Sequence, residues 1–258
     1  MQTLEKQTLE NKLGIKPDNR IVQIHPDILY AGDDGSFDKF HERYFDIMNR
    51  IELCSELNVQ WYPENKKDKE ILSYFGMAFM LNKPVRLLNR EQIQPTPHKS
   101  YTNVLLSIDE ISSRGDFLPD VNRKIEKDTT YIICTVRNTT EEDQKVFKKY
   151  AAKLEALGMN VHLPDPNADY QKDPNGLNIC LRHRQETASS RDVRTFWNPT
   201  SEGSVFDLAC TIIASKPIKL VKMMPYKGEL DAKSKNFMEL VQLCNAVYDA
   251  SNSDDSDD

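Results

Sequence analysis

The feature that most constrains this chain is an unbroken apolar, β-rich run, Tyr131-Ile132-Ile133-Cys134-Thr135-Val136. A strand with one wet face alternates apolar and polar residues. A run without that alternation is expected of a strand covered on both faces in a parallel sheet. The residues after the run fit that demand. Thr139 or Thr140 offers a helix N-cap, and Glu141-Glu142-Asp143 supplies first-turn acids. Val146, Phe147, Tyr150, Ala151, Leu154 and Leu157 recur at helical spacing until Gly158 stops the helix. A short strand over 159–164 closes a β-α-β unit.

The pattern continues to the end of the chain. The stretch 165–176 is rich in Pro, Asp and Asn and reads as a loop, either a substrate lid or a plain linker. Residues 177–191 read as a helix, 193–197 as a third strand, 205–215 as an apolar helix and 218–221 as a fourth strand. Phe237, Leu240, Val241, Cys244 and Val247 mark one face of a closing amphipathic helix over 236–250. Strands alternating with helices predict an α/β fold with a parallel, Rossmann-like sheet. Ligands of such sheets bind at the carboxyl ends of the strands.

A fainter copy of this pattern lies upstream. Trp61-Tyr62-Pro63 parallels Trp197-Asn198-Pro199, a helix over 70–81 parallels the one over 205–214, and Asn82-Lys83-Pro84-Val85 parallels Ser215-Lys216-Pro217-Ile218. With a first strand at 20–24 and a helix over 37–56, the first half reads as a degenerate copy lacking the second strand. Chance convergence of two short strand-helix-strand segments is the other reading. The expected organisation is a degenerate α/β half at 1–98, a connector with a helix over 101–113 at 99–128, a nucleotide-binding unit at 129–250, and a disordered acidic tail at 251–258.

Composition narrows the function. The net charge of −6 and the absence of a basic stripe interleaved with aromatics speak against long nucleic acid as a partner. No stretch reaches the ~18 apolar residues of a membrane helix, and residues 1–6 carry no apolar signal core. The five cysteines lack CxxC spacing and sit in apolar segments, which suits free thiols in a reducing, cytoplasmic setting. The five histidines form no metal-ligand pattern, so neither a metal nor another cofactor is expected. The tail reads as a solubilising segment, or as a mimic of nucleic-acid charge.

The informative stretch is Trp197-Asn198-Pro199-Thr200-Ser201-Glu202-Gly203-Ser204-Val205-Phe206-Asp207. It sets Gly203 and Ser204 at the start of a helix rising from a strand's carboxyl end. Unpaired first-turn amides and the positive helix end make an anion site there. Asp207 comes one turn in. Its carboxylate reads either as part of a site or as an acid complementing the helix dipole. Glu202 reads as a second site acid or a solvated loop acid, and Arg137 as a bidentate phosphate ligand or a surface residue. Trp197 reads as a base-stacking residue or as core.

This stretch, with the Lys216-Pro217-Ile218 beyond it, resembles the nucleoside 2-deoxyribosyltransferases and their Rossmann-like relatives. Those carry an acidic, Gly-Ser/Thr, x, aromatic, acidic pattern, then a helix and Lys-Pro-Ile/Val. The likeness spans roughly 131–221. It implies that Asp207, where the family usually has glutamate, attacks the anomeric carbon of a nucleoside or nucleotide, with Glu202 protonating the base or orienting the sugar. Ser201, Gly203, Ser204, Asn198, Arg137 and Trp197 would then bind substrate. The family's acid next to Gly-Ser falls on Ser201, and its acid on the preceding helix falls near Arg184, with Glu186 and Asp192 displaced. The Gly-rich end of its first strand is Thr135-Val136-Arg137-Asn138 here. Tyr74 takes the nucleophile's place in the first half. The resemblance also implies a homo-oligomer. Hydrolysis or deoxyribosyl transfer is one expectation. A nucleotide-binding or sensing protein that has lost the chemistry is another, and an interaction scaffold engaging partners through its acidic tail is a third.

Overall fold

The computed structural model describes residues 21–62, 68–125, 128–137 and 139–252. The readings of the N-terminal segment, of Arg20, Pro63 and Asn138, and of the tail beyond Asn252 fall outside them.

Two parallel sheets organise the described residues. The first orders β1 (Ile21–Ile24), β2 (Glu56–Val59) and β3 (Val85–Leu87) as β1-β2-β3. The second contains β4 (Thr129–Ile133), β5 (Asn160–His162), β6 (Asp192–Trp197) and β7 (Ile218–Met223), ordered β5-β4-β6-β7. Helices connect them: α1 (Phe37–Leu53), α2 (Lys69–Met80) and α3 (Tyr101–Ser113) in the first half, then α4 (Glu141–Ala156), α5 (Leu177–Ser189), α6 (Glu202–Ile213) and α7 (Ala232–Asn252). Every strand pairing is parallel, the arrangement the alternating pattern predicts.

Local chemistry sets the element limits. Ser36, Asp68, Ser100, Thr140 and Ser201 each cap a helix by accepting from an amide three residues on. The sequence places the first strand of the second half at 131–136. The backbone instead pairs over Thr129–Ile133, and Cys134 to Arg137 leave the sheet. The hydrophobic run is real, but its last part lines a cavity rather than a ladder.

The two halves share atomic detail. Asn82 and Ser215, each just before Lys-Pro, both adopt left-handed backbone (φ 58° and 54°). Pro84 O accepts from Leu57 N and Pro217 O from Val193 N, both at 2.9 Å. Lys83 Nζ donates to Cys54 O at 2.7 Å, just past the end of α1. Lys216 Nζ donates to Ala188 O (2.8 Å) and Ser190 O (2.7 Å) at the end of α5. The β1-β2-β3 order corresponds to β4-β6-β7, and among the described residues no strand of the first sheet stands where β5 does.

The halves meet through the matching helices α2 and α6. Gly76 makes the approach possible, since a Cβ there would lie 2.9 Å from Phe206 O and 3.3 Å from Ala209 Cβ. Phe206 packs against Phe75 (5.5 Å between centroids) and Phe79 (5.4 Å). One buried cluster runs across both halves, and Phe237 of α7 reaches Phe40 and Tyr44 of α1. The 101–113 helix, expected in a connector, packs on β3 as the last layer of the first half. Among the described residues no helix is long and apolar enough to cross a membrane. The same residues hold no group of three or more His, Cys, Asp or Glu side chains placed to bind a metal ion.

Candidate functional site

A cavity of about 480 Å³ opens where β4 and β6 end. That is the carboxyl edge of the sheet, where loops leave parallel strands. The segment after β4 gives Cys134, Thr135, Val136 and Arg137 to its wall. The turn from β6 into α6 gives Asn198, Thr200, Ser201, Glu202, Gly203 and Asp207. One face of α5, continuing from Gly176, adds Ile179, Cys180 and His183. The first half closes the remaining side with Ser100, Tyr101 and Val104 around the start of α3.

Asp207 is 5 % exposed. The Tyr131 hydroxyl donates to its Oδ2 at 3.0 Å. His183 Nδ1 stands 3.1 Å from Oδ2 and 3.2 Å from Oδ1. The ring of Tyr131 also lies against His183, 5.7 Å between centroids. Tyr131 has its phenol held well above the ordinary value by burial and by the adjacent Asp207 carboxylate, so it stays a donor. Burial pushes the Cys134 thiol up to about 12, with Asp207 adding to the shift. Burial likewise raises Cys180 and Tyr101, each with a contribution from Asp207. Burial is the main cause in each case, and the Asp207 carboxylate adds to it.

The α6 start is built as the sequence suggests. Ser201 Oγ accepts from Ser204 N, and Asn198 Oδ1 accepts from Thr200 N at 3.0 Å, fixing the turn. Glu202 is the first residue of the helix rather than part of the preceding loop. It also borders a second, smaller cavity lined by Trp61, Thr102 and the 96–101 segment. A Cβ at Gly203 would meet Tyr101 Oη at an ordinary 3.7 Å, so glycine there keeps the cavity wide rather than relieving a clash.

Asp207, Glu202, Gly203, Ser201, Arg137 and Asn198 share one cavity. Two of the expected binding residues do not join them. Trp197 is fully buried in the core shared by the halves, because β6 turns its last side chain inward, so it cannot stack on a ligand. Ser204 is buried behind the helix start and does not line the cavity. The displaced acids also lie elsewhere. Glu186 is bonded to His162 (2.5 Å) and to Arg182, and Asp192 opens β6 beside Arg194 (3.3 Å). Arg184 is buried and donates to Pro119 O at 2.8 Å.

Sequence reasoning missed Tyr131, His183, Thr135, Gln171 and Tyr101. The 165–176 loop turns through Asp169–Lys172, and its Gln171 lines the cavity while accepting from Lys99 Nζ at 2.8 Å. Two signals were available. A tyrosine within a buried strand needs a partner for its hydroxyl. Residues 176, 179, 180 and 183 recur at helical spacing, marking one face of α5. No family model matches the chain, nor does any curated protein or solved structure.

Proposed function

We propose that this chain acts on the N-glycosidic bond of a nucleoside or nucleotide, as a hydrolase or deoxyribosyltransferase on a Rossmann-like unit of the nucleoside deoxyribosyltransferase kind. One observation carries the reading. A buried carboxylate, Asp207, stands one turn into α6 at the wall of a cavity of about 480 Å³, at the carboxyl ends of parallel strands. Asp207 forms a bond to C1′ as the C1′–N bond breaks, giving a glycosyl-enzyme, and water or a second base then takes the sugar. The Tyr131 hydroxyl orients the carboxylate. Glu202, Ser201, Gly203, Asn198 and Arg137 are the groups available to the sugar and any phosphate. The first half contributes Ser100, Tyr101 and Val104 to the cavity wall. The five free cysteines suit a reducing, cytoplasmic setting.

Incubation with a panel of 2′-deoxynucleosides and their monophosphates, followed by chromatography for free base, tests this directly. Base release that disappears in Asp207→Ala supports it. No release from any substrate, or release unchanged by that substitution, overturns it.

A specific observation favours a second reading, a binding or sensing protein without turnover. Both oxygens of Asp207 already lie within 3.2 Å of His183 Nδ1, and aspartate reaches one methylene less far than glutamate. That reading expects ligand-dependent stabilisation, about 2.7 kcal/mol at 100 times the Kd, with no base released. A thermal-shift screen over the same panel, flat throughout, would count against both.

A further inference from the structure

His183 occupies a place that the carboxylate mechanism leaves unexplained. Its Nδ1 is bonded to Asp207, while its far nitrogen, Nε2, is buried with no hydrogen-bond partner among the described residues. Thr135 Oγ1 and Gln171 Nε2, on other residues of the same cavity wall, are also buried and unpartnered among the described residues. Folded chains leave few buried polar atoms unsatisfied. Three such atoms belong to residues that line this one cavity, which favours a ligand-bound arrangement in which the imidazole turns Nε2 to a partner. The imidazole itself is clasped by Asp207 on one edge and packed between the rings of Tyr131 and Tyr170.

We infer that His183 is the proton carrier of the reaction, giving the departing base its proton through Nε2 and later taking one from the attacking water. This rests on the glycosidic reading above. The charges and protons balance. The step requires the pair to start as Asp207 carboxylate and His183 imidazolium. Asp207 attacks C1′, the C1′–N bond pair goes to the base, and the Nε2 proton goes with it. A neutral sugar ester, a neutral imidazole with its proton on Nδ1, and a neutral free base remain. In the second step water attacks C1′, Nε2 takes its proton, and the carboxylate leaves. The pair is neutral overall before and after each step, so no isolated charge is buried.

Geometry supports the same assignment. In retaining glycoside hydrolysis the acid and the nucleophile stand about 5–5.5 Å apart. With Nδ1 3.1 Å from Asp207 Oδ2, Nε2 lies on the far side of the ring from the nucleophile, so the two functional atoms are separate. Glu202, the acid the sequence offers for this task, opens α6 at the junction of the two cavities, whereas His183 is bonded to Asp207 directly.

The test uses leaving groups. An ordinary purine nucleoside needs a proton on its departing base. A 7-methylated purine nucleoside does not, because its base already carries the positive charge. His183→Asn keeps an amide N–H where Nδ1 meets Asp207 and removes Nε2. It should lose about 10²–10⁴-fold in base release from the ordinary nucleoside, the usual worth of general acid–base catalysis, and keep most of its rate on the methylated one. His183→Gln, which reaches the Nε2 position without a transferable proton, should behave likewise and guards against one variant misfolding. Equal losses on both nucleosides would make His183 a positioning residue only, and unchanged rates would remove it from the mechanism. In either case a wild type that still releases base leaves the glycosidic reading standing. A wild type inactive on every nucleoside ends that reading, and this inference with it.

Discussion

The two halves repeat one frame and use it in opposite ways. Asp207 in α6 corresponds to Tyr74 in α2, counting back from the matching Lys-Pro steps. In the second half the space beyond that position is a cavity, and three of its lining residues carry buried polar atoms without a partner among the described residues. In the first half the neighbourhood of Tyr74 is filled. Its hydroxyl donates to Glu70 Oε1 at 2.6 Å, and Arg43 clasps the same carboxylate through Nε (2.7 Å) and Nη2 (2.9 Å). Asp33 stands 3.1 Å from Arg43, and the Tyr30 hydroxyl donates to Asp68 at 2.6 Å. Lys69, where α6 has Glu202, reaches across to Pro199 O at 2.8 Å and so props the loop of the other half. A polar cluster that closes on itself specifies structure, whereas one left open toward a cavity is ready for a ligand.

The widest separation between the halves is expected from Asp207→Asn. Base release should fall on the order of 10⁴-fold, the scale on which a single catalytic carboxylate counts, while thermal melting stays cooperative. Retained release in that variant would mean that the two halves do not divide into working and supporting parts. Next comes Glu70→Ala in the filled half. Removing one partner of a buried ion pair costs about 3–5 kcal/mol, and Asp33 remains to hold Arg43, so the lower end is expected. For a chain of this size that is a Tm drop of roughly 6–12 °C. Calorimetry giving no drop would show that the cluster is not structural.

Much of the frame was legible because parallel α/β architecture writes itself locally, through apolar runs, caps and Lys-Pro stops. The helix over Tyr101–Ser113 is dictated by Ser100 and its apolar spacing. The α6 start was legible for the same reason. The site's other members were not, because long-range contacts bring them in. Tyr131 and Asp207 are 76 residues apart, and His183 and Asp207 are 24 apart. Ser100 and Tyr101 arrive from the other half. For Trp197 the sequence leaves base-stacking and core both open, because a tryptophan beside a helix start reads the same either way, and the packing of both halves decides for the core.

The junction between halves gives a smaller effect. Gly76→Ala places a methyl 2.9 Å from the Phe206 carbonyl, a backbone atom that cannot swing aside. Overpacking of this kind costs about 1–3 kcal/mol. Because Phe206 is the residue before Asp207, the shift also reaches the cavity. Gly76→Ala should therefore lower both Tm and base release. A change in Tm alone would show that the halves are coupled for stability but not for the site.

The smallest effect compares two thiols. Burial raises both Cys134 and Cys54, but their second influences have opposite signs: Asp207 raises Cys134 further, while Lys83 lowers Cys54. With its thiol pushed up to about 12, Cys134 holds a thiolate fraction on the order of 10⁻⁴ or less at neutral pH, against a few per cent for an ordinary cysteine. Iodoacetamide should therefore modify it slowly although it borders the cavity. Neutralising the nearby charge with Asp207→Asn removes one cause of the elevation, so alkylation of Cys134 should accelerate, by less than about tenfold because burial is the larger cause. Cys54 lies in the other half and does not feel Asp207, so its labelling, tracked by peptide mass spectrometry in the same sample, should stay fixed. Equal acceleration at both sites would point to general loosening of the fold, and no acceleration at Cys134 would mean that the carboxylate does not govern its cavity.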